Sequence, residues 1–404
     1  MDILISGASV AGPTLAWWLR HFGFTPTVVE RNPGGPRRGG QPIDVRGPAL
    51  DVLDRMGLRG AVYERRTAMR GMTMVDAAGA ELMRTSERTM TGGAIDSPDV
   101  EILRDELAGL IVQATAGVDY IFGDSISALA EHADGVTVRF ESGTTREFDL
   151  VIGADGLHSR TRALAFGPES DCFTPMHTHL GIFSTPNLLG LDHWQVIQQL
   201  FDPAAPEQGT MGIFYSARGN TAVRAMLGFG GPLPEDLDYR DTARQKALVR
   251  AAFSHLGWRI PELLDAMDAA PDFYFDSVGQ IHLDEWHRGR VGLVGDAAYC
   301  PSPLSGQGTS IALVGAYLLA GKLAEHDGDP AAFAAYHGEL RAWVAQNQQL
   351  AFRNSEAHTA PAADSDPAAA AALAEHAAAF EATVNGYRLK DYRRAASGTS
   401  SHRV

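Results

Sequence analysis

An α/β fold built on a parallel sheet is predicted by three strand-then-glycine segments spread along the 404 residues. Ile3-Leu4-Ile5 runs into Gly7-Ala-Ser-Val-Ala-Gly12 and then the apolar stretch Leu15 to Phe22. Phe148-Asp-Leu-Val-Ile-Gly-Ala-Asp155-Gly156 breaks in the same way ahead of Ser159, Arg160 and Arg162. Gly289-Arg-Val-Gly-Leu-Val-Gly295-Asp296 does so a third time. A short apolar strand that stops at such a turn places the turn at the carboxyl edge of a parallel sheet, where open α/β sheets bind ligands.

The first segment reads as a Rossmann-like, dinucleotide-binding βαβ unit. Gly7 and Gly12 frame its turn, and the helix opening near Ala11 presents free N–H groups and a positive dipole end to a pyrophosphate. Ser9 holds the middle position of G-x-G-x-x-G, where a small side chain narrows the approach of the phosphate without blocking it. Glu30 closes the run Thr27-Val28-Val29, placed to accept hydrogen bonds from an adenosine ribose. Asp296 is placed to meet a ribityl hydroxyl. A single Asp after a strand equally serves as a turn or cap residue, so the argument rests on three such elements in order. After the third, Pro301 and Pro303 stiffen a loop, and Gly306 and Gly308 let the next helix bring its N–H groups close to a ligand ring.

Together these motifs resemble the para-hydroxybenzoate hydroxylase-like, single-component FAD-dependent monooxygenases, a group that includes aromatic polyketide hydroxylases and tetracycline-degrading enzymes. The resemblance covers residues 1 to about 345. It implies that Gly7, Ser9, Gly12 and Glu30 form the ADP-binding motif and that Asp155-Gly156 serves both FAD and a nicotinamide nucleotide. It also implies that Gly295-Asp296 contacts the ribityl chain. Arg104, in Glu101-Ile-Leu-Arg104, matches the family arginine that reaches the cofactor from a helix, and Arg46, in Asp44-Val-Arg46-Gly47, matches a position near the isoalloxazine and pyrophosphate.

The implied activity is hydroxylation of an aromatic or polycyclic small molecule, such as a polyketide or antibiotic. NADPH or NADH is the transient reductant, O2 the co-substrate, and a flavin C4a-hydroperoxide the oxidant. Transient nicotinamide binding over the FAD domain explains the lack of a second G-x-G-x-x-G, and Arg31, Arg37 and Arg38 are candidates for its phosphates. The chain departs from the family at Ser9 and in Thr309-Ser-Ile-Ala-Leu-Val-Gly-Ala316, where Ser310 and Gly315 replace more polar residues. The same fold also serves flavin halogenases, isoprenoid reductases and non-catalytic flavin binders. The halogenase Trp-x-Trp-x-Ile-Pro signature is absent, Trp17-Trp18 being an adjacent pair.

Composition fits a large globular enzyme, with 45% apolar and 21% charged residues. With 49 acidic against 34 basic side chains, the net charge of -15 argues against a nucleic-acid partner. Two cysteines, Cys172 and Cys300, provide neither a disulfide framework nor a thiolate metal site, consistent with a cytoplasmic protein. The uncharged run Ile3 to Leu19 follows Asp2 rather than a basic segment and is interrupted by Gly, Ser and Pro13, so it does not read as a signal peptide, and the uncharged stretch Pro301 to Gly321 fits a cofactor loop plus buried helix better than a membrane span. A monomer or homodimer is expected. No metal-ligand spacing stands out, and none of the 14 histidines has a partner fixed by spacing, so the catalytic acids and bases are not legible.

The expected organisation is a discontinuous FAD-binding domain at 1–70, 97–172 and 272–340, a substrate domain at 71–96 and 173–271, and a C-terminal helical segment at 341–404. Helices are expected at 99–115, across Tyr239 to Met267 with Pro261 starting a new one, at 309–325, at 330–355, and in part of the alanine-rich 360–378, before a frayed tail. Short alternating runs between 173 and 271 predict a mixed or antiparallel sheet as a substrate wall, with Met72-Thr-Met-Val and Glu81-Leu-Met joining it. Phe183, Gln198, Met211, Phe214, Arg224 and Met226 lie on its strands. Alternation sends about half of them away from the substrate, and the sequence does not say which half.

Overall fold

The computed structural model describes residues 1–36, 39–200, 209–234, 236–238, 240–359 and 367–392. The three glycine-ended strands lie side by side in a six-stranded sheet. Its order is His287–Arg288, Val291–Leu293, Leu150–Gly153, Asp2–Ser6, Thr25–Glu30 and Asp119–Phe122. All neighbours are parallel except the short edge strand His287–Arg288. Ile3, Leu4 and Ile5 are each fully buried because both faces are covered, which is why they read as a continuous apolar run rather than an alternation. Helices Ala11–Phe22 and Gly308–Glu325 cover one face, packing Leu15, Leu19, Ile311 and Leu318 around Ile3 and Ile5. An antiparallel meander, Ile126–His132, Gly135–Phe140 and Thr145–Phe148, covers the other and sets Val136, Val138 and Phe140 against Leu4 and Val151.

The second sheet has seven strands in the order Tyr274–Ile281, Phe173–Pro186, Ala222–Gly230, Thr210–Ala217, Gln195–Leu200, Met72–Val75 and Glu81–Thr85. It is mixed, since Gln195–Leu200 runs parallel to Met72–Val75 while the other pairs are antiparallel. Helices Thr242–Phe253 and Ile260–Ala269 close one of its faces.

Two expectations need correction. Residues 272–340 do not belong wholly to the first unit, because Tyr274–Ile281 pairs with Phe173–Pro186 as an edge strand of the second sheet. The helix expected at 99–115 starts only at Arg104: Val100–Leu103 is a strand paired antiparallel with Pro42–Val45, and its alternation buries Val100 and Ile102. The stretch 239–267 forms two helices as expected, the second opening with Pro261 in its first turn, and the chain between them passes through Gly257 and Trp258 with φ 54. Tyr239, residues 360–366 and the tail from Ala395 lie outside the described residues.

Helix Ala331–Thr359 packs on Gly308–Glu325, and helix Pro367–Val384 follows it. The chain then returns to the first unit, where the Tyr392 ring takes the space a Cβ on Gly321 would fill and the Lys390 carbonyl accepts from Tyr317 at 2.6 Å. Among the described residues, no helix is long and apolar enough to cross a membrane.

The tightest contact of the fold sits at the first turn. A Cβ on Gly12 would lie 1.9 Å from the Gly7 carbonyl oxygen, a backbone atom with nowhere to go. Gly12→Ala should therefore destabilise the protein by about 3 kcal/mol or more in urea unfolding, the upper range for overpacking. Gly60→Ala, on an exposed helix with open space around it, should instead gain roughly 0.5–1 kcal/mol.

Candidate active site

The three turns meet through their glycines. Gly7 adopts φ +106, and a Cβ there would lie 2.4 Å from the Ala154 carbonyl oxygen, so the first and second strand ends are in backbone contact. A Cβ on Gly295 would meet Ala11 Cβ at 3.1 Å and Ala312 Cβ at 3.5 Å, which brings the third turn onto the first helix. Ala11 is the first residue of that helix, and no acidic residue occupies its first turn. Ser9 lies partly exposed in the turn. Glu30 accepts from the Ala8 N–H at 2.8 Å through one oxygen and from the Asn32 N–H at 2.8 Å through the other, which fixes its carboxylate while leaving lone pairs for hydroxyl donors.

A second cradle lies beside it. Asp296, Pro301 and Gly308 converge, since a Cβ on Gly308 would be 3.7 Å from Asp296 Oδ1 and 3.8 Å from Pro301 Cγ. Burial pushes the Asp296 carboxyl up, against the opposing pull of Cys300 and the Arg104 guanidinium. Arg104 lies against Gly40, where a Cβ would be 2.8 Å from its Nε, and that buried Nε has no partner. Gln307, fully buried between Gly306 and Gly308, also has both side-chain polar atoms unpartnered. Buried polar atoms left without partners are costly. A glycine cradle, a fixed carboxylate at Glu30 and an unpartnered guanidinium together fit a long anionic dinucleotide such as FAD.

Arg46 is placed differently from a simple flavin contact. Its guanidinium, 5% exposed as a residue, pairs with Asp44 at 3.1 Å and Asp99 at 2.9 Å and lies 5.4 Å from the centroid of the Phe380 ring. Burial drives the Asp44 carboxyl up to about 7 despite Arg46, and burial also raises Glu101 against bonds from Thr67 and Thr91. Ser310 accepts the Arg46 backbone N–H at 3.0 Å, so the serine that departs from the family pattern ties the long helix to this strand end. Gly315 has a packing reason: a Cβ there would lie 2.1 Å from the Tyr299 hydroxyl, which is itself bonded to the Tyr336 hydroxyl at 2.8 Å.

Asp155 serves its own turn. It accepts from Ser6 Oγ at 3.2 Å, from Ser159, and from both the N–H and hydroxyl of Thr161 at 2.9 Å, so its carboxylate joins the first strand to the helix Arg160–Ala165. Gly156, with φ +82, opens onto free space. Sequence reasoning gave no role to Arg162, which is fully enclosed and donates to the Ala297 carbonyl at 3.0 Å and the Leu157 carbonyl at 2.6 Å, linking the second turn to the third. His158 bridges the sheets, with Nδ1 2.8 Å from Glu169 and Nε2 3.0 Å from Asp276. Arg31 is exposed, while Arg37 and Arg38 lie outside the described residues.

The second sheet divides the six wall candidates evenly. Phe183 and Phe214 pack with Val249, Phe253 and Leu263 of the covering helices, and Gln198 shares its strand face with Val196 of that core while donating to the Asp76 and Ala77 carbonyls. These three point away from the first unit. Met211, Arg224 and Met226 lie on the opposite face, where Ile197, Ile213 and Tyr215 cluster with Leu103, and Leu180 and Ile182 pack with Leu304 of the Pro301 loop.

Cross-strand register arranges that face in rows. Gln195, Tyr215, Arg224 and Ser184 form a polar row, and Met83, Met74, Ile197, Ile213, Met226 and Ile182 form an apolar one beside it. Gln195 is anchored by the Met90 N–H at 2.7 Å and by Thr91, and Arg224 by Asp272 at 2.6 Å and by Ser184. Tyr215 has a fully buried hydroxyl without a partner, and burial raises its pKa well above the ordinary value, so it stays protonated and able to donate. Neither Gln195 nor Tyr215 was picked from the sequence, although both lie in the alternating runs that predicted the sheet.

The family model for an FAD binding domain matches residues 1–351. An uncharacterised protein of Mycobacterium tuberculosis (strain CDC 1551 / Oshkosh) is 49% identical over 394 residues, covering 96% of this chain and 99% of that protein. A protein named flavin-dependent monooxygenase, from an unknown prokaryotic organism, is 40% identical over 363 residues, with 89% and 90% covered. The solved structure of tetracycline destructase Tet(55) aligns with a TM-score of 0.84 at 37% identity, with 96% of this chain and 98% of that chain covered.

Arg104→Ala should weaken FAD binding by at least roughly tenfold in a fluorescence titration, the loss of a charged hydrogen bond of about 1.5–3 kcal/mol, whereas Arg31→Ala should change it little. His158 provides a separate test. Bonds to Asp276 and Glu169 raise its pKa from 6.5 to about 10, so its contribution to stability is fully present below pH 6.5 and lost as pH rises through 10. His158→Gln should flatten that alkaline decline in a plot of melting temperature against pH.

Proposed function

The chain belongs to the FAD binding domain family of flavin-dependent monooxygenases, and from that premise we propose that it uses NADPH or NADH to hydroxylate a fused-ring or aromatic small molecule carrying hydroxyl or carbonyl groups. Bound FAD supplies hydride acceptance and oxygen activation. One observation carries the substrate reading: a polar row and an apolar row lie adjacent on the sheet face that meets Leu103 and Leu304. A flat molecule laid across that face meets thioether and aliphatic surface along its rings, while its oxygens meet Gln195, Tyr215 and Arg224 at one edge. The solved relative is named a tetracycline destructase, which supports a multiply oxygenated fused-ring substrate here.

Each residue has a stated task. Tyr215, kept protonated by burial, donates to a substrate oxygen, and Arg224, held by Asp272 and Ser184, carries the fixed positive charge that favours a phenolate. Helix Gly308–Glu325 directs its N-terminal N–H groups towards the cradle that takes the cofactor ring. The exposed Arg31 meets the phosphates of the nicotinamide nucleotide. The apolar row and the long helices exclude water from the reacting edge.

The test uses FAD-loaded protein under air, with nucleotide oxidation followed as hydroxylated fused-ring compounds are added. Oxidation should accelerate with substrate, and label from isotopic dioxygen should enter the product. Tyr215→Phe should lower kcat/KM by roughly tenfold, the worth of one hydrogen bond of about 1.5 kcal/mol, and shift the pH profile. Phe214→Leu, on the covered face, should lower stability and leave KM nearly unchanged. A KM change from Phe214→Leu with none from Tyr215→Phe would reject this assignment of faces.

A further inference from the structure

The two faces of the second sheet differ in one respect that packing alone does not require. The helix-covered core is built from Phe, Val, Leu, Ile and Ala, with Met267 its one buried methionine. On the opposite face, seven of the chain's eleven methionines gather in a single cluster: Met69, Met72, Met74, Met83, Met90, Met211 and Met226. Met74 faces Met83 directly in the strand register, and Met226 extends the cluster to Leu304 of the Pro301 loop. Met74, Met83, Met90, Met211 and Met226 are each partly exposed, so their sulfurs are not sealed in a core. Leucine or isoleucine would fill the same surface with less loss of side-chain freedom.

We propose that this methionine wall is a set of reversible oxidation sites that intercept hydrogen peroxide released from the cofactor site when oxygen is reduced without substrate. The proposal rests on the flavin-dependent oxygen chemistry stated above. A thioether sulfur attacks one peroxide oxygen, the O–O bond breaks, methionine is oxidised by two electrons to its sulfoxide, and the second oxygen leaves as water. The polar sulfoxide makes the wall less hospitable to an apolar ring system, so repeated uncoupled turnover lowers the enzyme's affinity for substrate. Methionine sulfoxide reductases, one for each epimer, reverse the change.

The full chain loaded with FAD is reduced with dithionite under nitrogen, desalted and mixed with aerated buffer containing catalase, over several cycles. Peptide mass spectrometry then locates added oxygen. Sulfoxide should form at Met74, Met211 and Met226 several-fold faster than at Met1, which is 42% exposed and remote from the wall. Oxidation that follows exposure alone, with Met1 first, or a wall still reduced after the flavin has cycled, would overturn the inference. Because dithionite replaces the nicotinamide nucleotide and no substrate is present, a failure here is separable from a failure of nucleotide-driven hydroxylation. A combined Met74→Leu, Met211→Leu, Met226→Leu protein, checked for native circular dichroism, should release more peroxide per flavin reoxidised when catalase is omitted. Unchanged release counts against the wall as a sink.

Discussion

Close approach at glycine turns, at the ends of three parallel strands, is the constraint from which the rest of the structure follows. Gly7 meets the Ala154 carbonyl, Gly12 meets the Gly7 carbonyl, and Gly295, at φ +68, meets the methyl groups of Ala11 and Ala312. No side chain fits at these points, so the positive end of the first helix, the second turn and the loop leading to the long helix are drawn to one edge of the sheet. Asp155 and Arg162 reinforce the convergence, one tying the first strand to the second turn and the other tying the second turn to the third. In a chain with a net charge of -15, this edge gathers helix N–H groups beside the buried, unpartnered Arg104 Nε, a local positive field of the sign an anionic ligand requires.

A second constraint lies where the cofactor unit meets the second sheet. The ribbon formed by Pro42–Val45 and Val100–Leu103 carries Asp44 and Glu101, with Arg46 and Asp99 at its end, three carboxylates around one guanidinium in a buried place. Full ionisation of all three would be costly, and the strain falls on Asp44, pushed by burial to about 7. Removing that proton near neutral pH places uncompensated charge next to the ribbon. Arg46 also joins neighbouring elements, its backbone N–H donating to Ser310 of the long helix and its guanidinium lying 5.4 Å from the centroid of the Phe380 ring of the C-terminal helix.

The cofactor half of the fold was legible because its signals are local. Apolar runs ending in glycine, a carboxylate closing the second strand and the Gly306–Gly308 loop each sit within a few residues of one another, and the chain's membership in the FAD binding domain family agrees with them. Two kinds of feature escaped. Val100–Leu103 became a strand because a partner at Pro42–Val45 was available, which no window around residue 100 reveals. Arg162 donates to the Ala297 carbonyl, 135 residues away in sequence, which no local window reveals. The two departures read as losses of polarity, Ser310 and Gly315, turned out to be a backbone tie and a space for Tyr299.

The choice of sheet face shows most clearly where sequence reading stops. Alternation in Met211-Gly-Ile-Phe-Tyr215 and Ala222-Val-Arg-Ala-Met226 defines two faces equally well, because a period of two has no preferred side. The side is decided by helices Thr242–Phe253 and Ile260–Ala269, whose apolar residues claim Phe183, Phe214, Val223 and Ala225 and leave the other set to the cofactor unit. Composition then distinguishes the faces in a way alternation does not. Branched and aromatic side chains fill the helix-covered side, where shape is fixed. Flexible thioethers together with anchored Gln195, Tyr215 and Arg224 fill the side turned towards the cofactor unit. The sheet is therefore one structural element with a rigid core on one surface and a compliant wall with fixed polar contacts on the other.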